Sequence, residues 1–392
     1  MKTHSPLTSC RGLPGLSRYC TKIASLLLLG LLPLPALQCI ARDLPAQDST
    51  WVFTGDLVHR RTNHGASLLF DGGVLVSGGA VNNGIQEIGT AELYDPATGT
   101  WREVAHLNQA RQKHTSTLLN DRRVLVVGGF NFDAGGELRS AEIYDPATGL
   151  WSYTPDLRDD RYEHTTTLLN DGRVLVAGGI RPGILNALRS AEIYDPRTGR
   201  WTGTGRMIEP RGSAAAVLLN DGRVLVSGGF ASPLTSEIFD SATGTWTASA
   251  IMQRRHHAHT ATLLNDGSVL VAGGFRERHD RAPASHTAEV YDPAQNTWTL
   301  TGQLNFSRYD HTVTLLPSGQ VAAIGGNTNS DLFYAPVETY DPATGVWTLS
   351  GNLNQNRARH SATLLSDGTI LAAGGGHFEI VDTSEIGTFG PP

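Results

Sequence analysis

The chain has 392 residues, a net charge of −6 and only 17% charged residues. No basic tract is longer than a pair such as Arg60-Arg61 or Arg254-Arg255, so the positive stripe that binds a phosphate backbone is missing and nucleic acid is excluded as a partner. The length would accommodate two or three average domains, but an internal repeat favours one.

Residues 1–41 stand apart from the rest. Lys2, Arg11, Arg18 and Lys22 form a basic leader, and an apolar run over 23–37 is broken by Pro33 and Pro35. The run is short of the roughly 20 apolar residues of a membrane span and fits a secretory signal cleaved after Ala41. Residues 42–48 are then a short linker, and the predicted location is secreted or in the cell envelope. A membrane enters only if Cys39 is lipid-modified, and Gln38 occupies a place where lipoprotein signals carry a small residue. All three cysteines (Cys10, Cys20, Cys39) lie in the leader, so the mature chain holds no disulfide although its compartment permits one.

From Trp51 onward the chain is a variation on one unit, best seen over 164–201. That unit holds an apolar run at 165–169, an Asn-Asp-Gly turn, a second run at 174–177 and the pair Gly178-Gly179. After a loop come a third run at 191–194, an Asp-Pro-Arg-Thr-Gly turn and Trp201. The pattern predicts four short strands. The Gly-Gly pair recurs at 78, 128, 178, 228, 273, 325 and 374, and Trp at 51, 101, 151, 201, 246, 298 and 347. Both series are spaced by 50, 50, 50, 45, 52 and 49 residues, so the repeat is the folding unit.

A period near 50 with a double Gly after strand two, a Tyr in strand three and a Trp in strand four resembles the kelch family. The resemblance covers about residues 49–390 and implies an all-β, seven-bladed propeller with four antiparallel strands per blade around a central channel. First strands are predicted near His64, His114, His164, Ala214, His259, His311 and His360, each 13 residues after a Trp. The last unit has three strands and no Trp, whereas Trp51-Val52-Phe53 is a fourth strand with no preceding three. The N-terminal strand is therefore predicted to close the ring, which removes the open edge.

Asp-Gly at 71, 171, 221, 266 and 367 marks hairpin turns whose residues take positive φ, with Arg122 and Pro317-Ser318-Gly319 as departures. Turns of the Asp-Pro-Ala-Thr-Gly kind join strands three and four. Because strands alternate in direction, these two uniform sets share one face. The other face carries the variable loops 80–90, 130–140, 180–190, 230–235, 275–287, 327–336 and 376–383, and loops on a rigid scaffold are where binding residues sit. Candidate binding residues there are Asn82, Asn83, Asp133, Arg181, Phe333 and Tyr334.

Arg61, Arg111, Arg161, Arg211, Arg308 and Arg357 precede the first strands by three residues, and Glu92, Glu142, Glu192, Glu237, Glu289, Glu338 and Glu385 recur in strand three. Occurrence in nearly every blade points to structural ion pairs, since a buried charge needs a partner, and the strand-start histidines read the same way. The pattern breaks where Ala214 replaces His and His256 replaces Arg, within Arg254-Arg255-His256-His257. These four complete the candidate binding set. With His279, Asp280 and His286 they could gather on one face, but their spacing matches no metal motif, so no metal is expected.

No catalytic residues and no cofactor are expected. Copper radical oxidases resembling galactose oxidase use a Tyr crosslinked to a Cys, and no Cys follows the leader. No nucleophile elbow, zinc-binding helix or phosphate loop appears. The reading is a propeller that binds a protein or glycan through its variable-loop face. The alternative is a sugar-modifying or isomerising enzyme, like the bacterial kelch mutarotase of sialic acid, with its site at the mouth of the central channel.

Overall fold

The computed structural model describes residues 49–181, 186–275, 283–328, 336–376 and 379–390. The predicted leader and linker, Phe333, Tyr334, His279 and Asp280 lie outside them. No helix among the described residues is long and apolar enough to cross a membrane.

Seven four-stranded antiparallel sheets follow one another along the chain. In blade three the strands are Thr165–Leu168, Val174–Ala177, Ala191–Asp195 and Arg200–Gly203. In blade seven they are Ser361–Leu364, Ile370–Ala373, Ser384–Phe389 and, from the other end of the chain, Ser49–Phe53. Trp51 pairs with Gly387 and Phe53 with Glu385, so the ring is closed by the N-terminal strand as predicted. First strands of successive blades adjoin all the way round, including Gly65–Leu68 against Ser361–Leu364, and surround the channel.

The sequence dictates this layering. Second strands such as Val124–Val127 are buried on both faces and are continuous apolar runs, as a strand packed between neighbouring blades must be. Each core cluster joins two blades, as where Leu75 and Leu107 of blade one meet Val124, Tyr144 and Trp151 of blade two. The Tyr of strand three lies against the Trp opposite it, with ring centroids 5.1 Å apart for Tyr144 and Trp151.

The turn chemistry differs from expectation in one respect. Only the Gly of each Asp-Gly turn has positive φ (Gly172, 84°). Its Asp instead accepts a hydrogen bond from the backbone two residues on, as Arg173 N donates to Asp171 Oδ1 at 3.0 Å, which is an Asx turn. Both uniform turn sets share a face, since Arg123 of a one-to-two turn donates to the Pro196 carbonyl of a three-to-four turn.

Candidate ligand-binding site

The repeated Arg and Glu form a clamp within each blade. Arg111 donates to the Gly128 and Ser140 carbonyls at 2.7 and 3.0 Å and to Glu142 at 2.9 Å. Glu142 also accepts from the backbone N–H groups of Asn108 and Gln109. Both side chains are fully buried, and the cluster ties the incoming loop to the Gly-Gly corner. Arg–Glu pairs recur in blades one, three, four, six and seven. In blade five His256 takes the Arg position: its ring nitrogens lie 3.1 Å from the Gly273 carbonyl and 3.3 Å from Glu289. His256, expected among the ligand-binding residues, is buried inside a blade.

The strand-start histidines form a second tier that lines the channel. His64, His164, His311 and His360 are each capped by a hydroxyl from the first strand of the preceding blade, as His164 by Thr115 at 2.9 Å and His360 by Thr312 at 3.0 Å. Ala215 lacks that hydroxyl, and Ser227 from the second strand caps His259 instead at 3.1 Å. Gly65 lacks it too, and although Ser77 stands at the position of Ser227, no hydroxyl caps His114. Burial pushes His114 and His311 down to about 3, and the same cause, with the nearby Arg61 charge, holds His64 well below the ordinary range.

Above the histidines lies a cavity of about 470 Å³ to which all seven blades contribute. Its rim is the residue just before each His position: Arg359, Asn63 and Lys113, then Glu163, Ser213, Ala258 and Asp310. All seven are left-handed, with φ between 49° and 54°, although none is Gly. The conformation is held by backbone bonds from blade to blade: Lys113 N donates to Asn63 O at 3.0 Å, Ser213 N to Glu163 O at 2.8 Å and Asn63 N to Arg359 O at 3.1 Å. Six such bonds run round the mouth, and the seventh, from Asp310 N to Ala258 O, is not made. Side chains pair as well, Arg359 with Asp310 at 2.7 Å, and Glu163 with both Lys113 and Ser213.

Aromatic rings flank part of this rim. Phe275 lies 4.0 Å from Tyr309 and 5.6 Å from His257, and Phe230 is 5.6 Å from His257, centroid to centroid. Lys113 Nζ sits 5.4 Å over the ring of Tyr162.

Of the candidate binding residues that the structure describes, His257 alone lines the mouth. Arg254 and Arg255 line an outer groove with His286 and Gln303. Asn82 and Asn83 form a 3-10 turn, Asp133 is exposed, and Arg181 lies 3.7 Å from Asp159 on another hairpin. Among the described residues no three His, Cys, Asp or Glu side chains gather as a metal site. The rim itself had a sequence signal: the residue before the His position differs in all seven repeats, although the next position is His in six of them.

No curated protein matches the chain in sequence. Among solved structures, the chain is similar to a fungal alcohol oxidase of the AA5 family in complex with copper, with 18% identity, a TM-score of 0.69 and coverage of 88% of this chain and 76% of that one. It is also similar to YjhT, with 16% identity, a TM-score of 0.59 and coverage of 76% of this chain and 99% of that one. Identities this low carry the fold alone. The kelch motif model matches residues 114–158, 164–207 and 256–305, and with seven concordant blades the chain is a kelch-repeat β-propeller.

Proposed function

We propose that the protein is an exported binding module whose ligand, a small polar molecule of the glycan class, sits in the mouth of the central channel on the variable-loop face. One observation carries this reading. Positions with a structural task repeat their residue, as the buried Arg and Glu do, whereas the seven rim positions repeat a left-handed backbone and carry seven different side chains. Packing does not demand that variety, and a concave cavity with a few converging polar groups and an aromatic wall is the usual form of a ligand site. The volume of about 470 Å³ suits a mono- or disaccharide. A glycan array run beside a pull-down from envelope extract tests it: glycan binding supports the reading, and a protein captured with an empty array overturns it. A protein ligand would be expected to use exposed hairpin side chains such as Ile85 and Phe132 instead.

A second reading, an isomerising enzyme at the same mouth, is favoured by Glu163, whose carboxylate accepts from both the Lys113 ammonium and the Ser213 hydroxyl. A positioned carboxylate is one of the groups that can take or give a proton at a sugar hydroxyl. Anomer exchange followed by NMR, with and without the protein, separates binding from catalysis.

A further inference from the structure

The seven rim residues differ, but their order is not random. Going round the mouth, Arg359, Asn63 and Lys113 are consecutive, and so are Glu163, Ser213, Ala258 and Asp310. One arc carries both cations, and the other carries both carboxylates. The arcs meet at two seams, each closed by an ion pair, Lys113 with Glu163 and Arg359 with Asp310. The mouth therefore has almost no net charge and a definite direction of charge. Burial holds the imidazoles beneath neutral, so they add no charge of their own.

The two arcs also differ in their surroundings. Outside Ala258 and Asp310 stand Phe275 and Tyr309, aromatic rings of the kind that attract a cation. In the cationic arc Ala358, Thr62 and Gln112 hold the places of His257 and Tyr309, and Gly376, Ala80 and Phe130 the place of Phe275, so Phe130 is the one aromatic ring among them. The break in the backbone circle falls in the anionic arc as well, where the Ala258 carbonyl is left out of the blade-to-blade bonding. Ser213 and Ala258, the two smallest rim side chains, keep the centre of this arc open. Carboxylates, ring faces and a spare carbonyl together suit an ammonium. Opposite them the Arg359 guanidinium, the Asn63 amide and the Lys113 ammonium suit a carboxylate, which charged donors hold more strongly than neutral ones.

We propose that the mouth selects a zwitterion, a sugar-sized molecule with a carboxylate at one end, turned to Arg359, Asn63 and Lys113, and an ammonium at the other, turned to Glu163, Asp310 and the aromatic wall. This rests on the reading of the mouth as a glycan site and narrows it to amino sugar acids. A ligand with a single charge would gain from one arc and meet unrelieved like charge at the other, whereas a zwitterion placed along the axis gains from both.

The experiment is a calorimetric titration of the full chain with four sugars: muramic acid, which carries both charges, N-acetylmuramic acid, which keeps the carboxylate, glucosamine, which keeps the amine, and glucose. Muramic acid is expected to bind at least about tenfold more tightly than each of the others, the size of one charge-assisted hydrogen bond. In the double exchange K113E/E163K the seam pair is kept, so the fold should melt as the wild type does, while the direction of charge is disturbed and the preference should fall at least threefold. Similar affinity for all four sugars would overturn the zwitterion and leave the glycan site standing. A preference for muramic acid that the exchange leaves intact would place the ligand elsewhere and overturn both. No heat from any of the four would likewise overturn both.

Discussion

The indole of Trp51 occupies the space that a side chain on Gly387, its register partner, would need, across the seam where the two ends of the propeller meet. In the other six blades that partner is a Tyr or Phe, as with Tyr94 opposite Trp101 or Phe239 opposite Trp246. A Cβ on residue 387 would stand 2.5 Å from the Trp51 ring. Gly387→Ala is therefore expected to cost about 1–3 kcal/mol by overpacking, measured by urea denaturation. Equal midpoints for Gly387→Ala and the wild type would show that the seam is not packed as described.

The same seam sets the fate of a truncated chain. Removing residues 49–56 exposes the edge of Ser384–Phe389 and takes Trp51 from its cluster with Leu353 and Ile370. Losing a buried Trp alone costs about 3–5 kcal/mol, and the open edge invites pairing with other chains. Aggregation or a much lower melting temperature is expected; a monomer of unchanged stability by light scattering and calorimetry would contradict the closure.

The Arg–Glu clamps are expected to matter through what is left behind. Glu192→Ala strands the buried Arg161 guanidinium, and breaking one side of a buried pair costs about 3–5 kcal/mol. Exchanging both for apolar residues of similar volume should cost less than that single change. Chemical denaturation of the two variants checks the order, and the reverse order would mean that Arg161 acts mainly by its bonds to the Gly178 and Ser190 carbonyls.

Stability should fall with acid before any carboxylate is protonated. Burial holds His114 and His311 at about 3, and His64, His164, His259 and His360 well below 6.5. In the unfolded chain these groups take up protons near 6.5, so below that pH the unfolded state binds more protons and is favoured. Their contribution is complete above 6.5 and is lost as pH falls toward 3, at up to ~1.4 kcal/mol per pH unit for each His. The urea midpoint should drop steadily from pH 6.5 to 5; a flat profile there would mean that the channel histidines are wet.

Gly178 illustrates what a sequence conveys and what it leaves unsaid. The recurrence of Gly-Gly marks a corner, and φ of 66° at Gly178, with the Arg211 carbonyl 2.4 Å from where a Cβ would be, gives its reason. Spacing alone likewise yields the blades, their order and the closing strand, because each depends on a local turn or a period. The rim does not announce itself that way. Asn63, Lys113 and their counterparts are left-handed without being Gly, since inter-blade backbone bonds impose that conformation, and those bonds exist only once the ring is assembled. The replacement of Arg by His256 was visible as a break in the pattern, but its meaning needed the geometry: an imidazole offers two nitrogens to the same carbonyl and carboxylate that the guanidinium bridges elsewhere.

The central claim is that the ligand sits at the channel mouth rather than on the hairpins around it. The most direct measurement is a calorimetric titration, with the tightest glycan found on the array, of Glu163→Ala and Arg359→Ala beside Asp133→Ala and Arg181→Ala. The rim variants are expected to lose at least about tenfold in affinity, in line with losing a charged hydrogen bond, and the hairpin variants to bind as the wild type does. Loss confined to the hairpin variants, with the rim variants unchanged, would contradict the account.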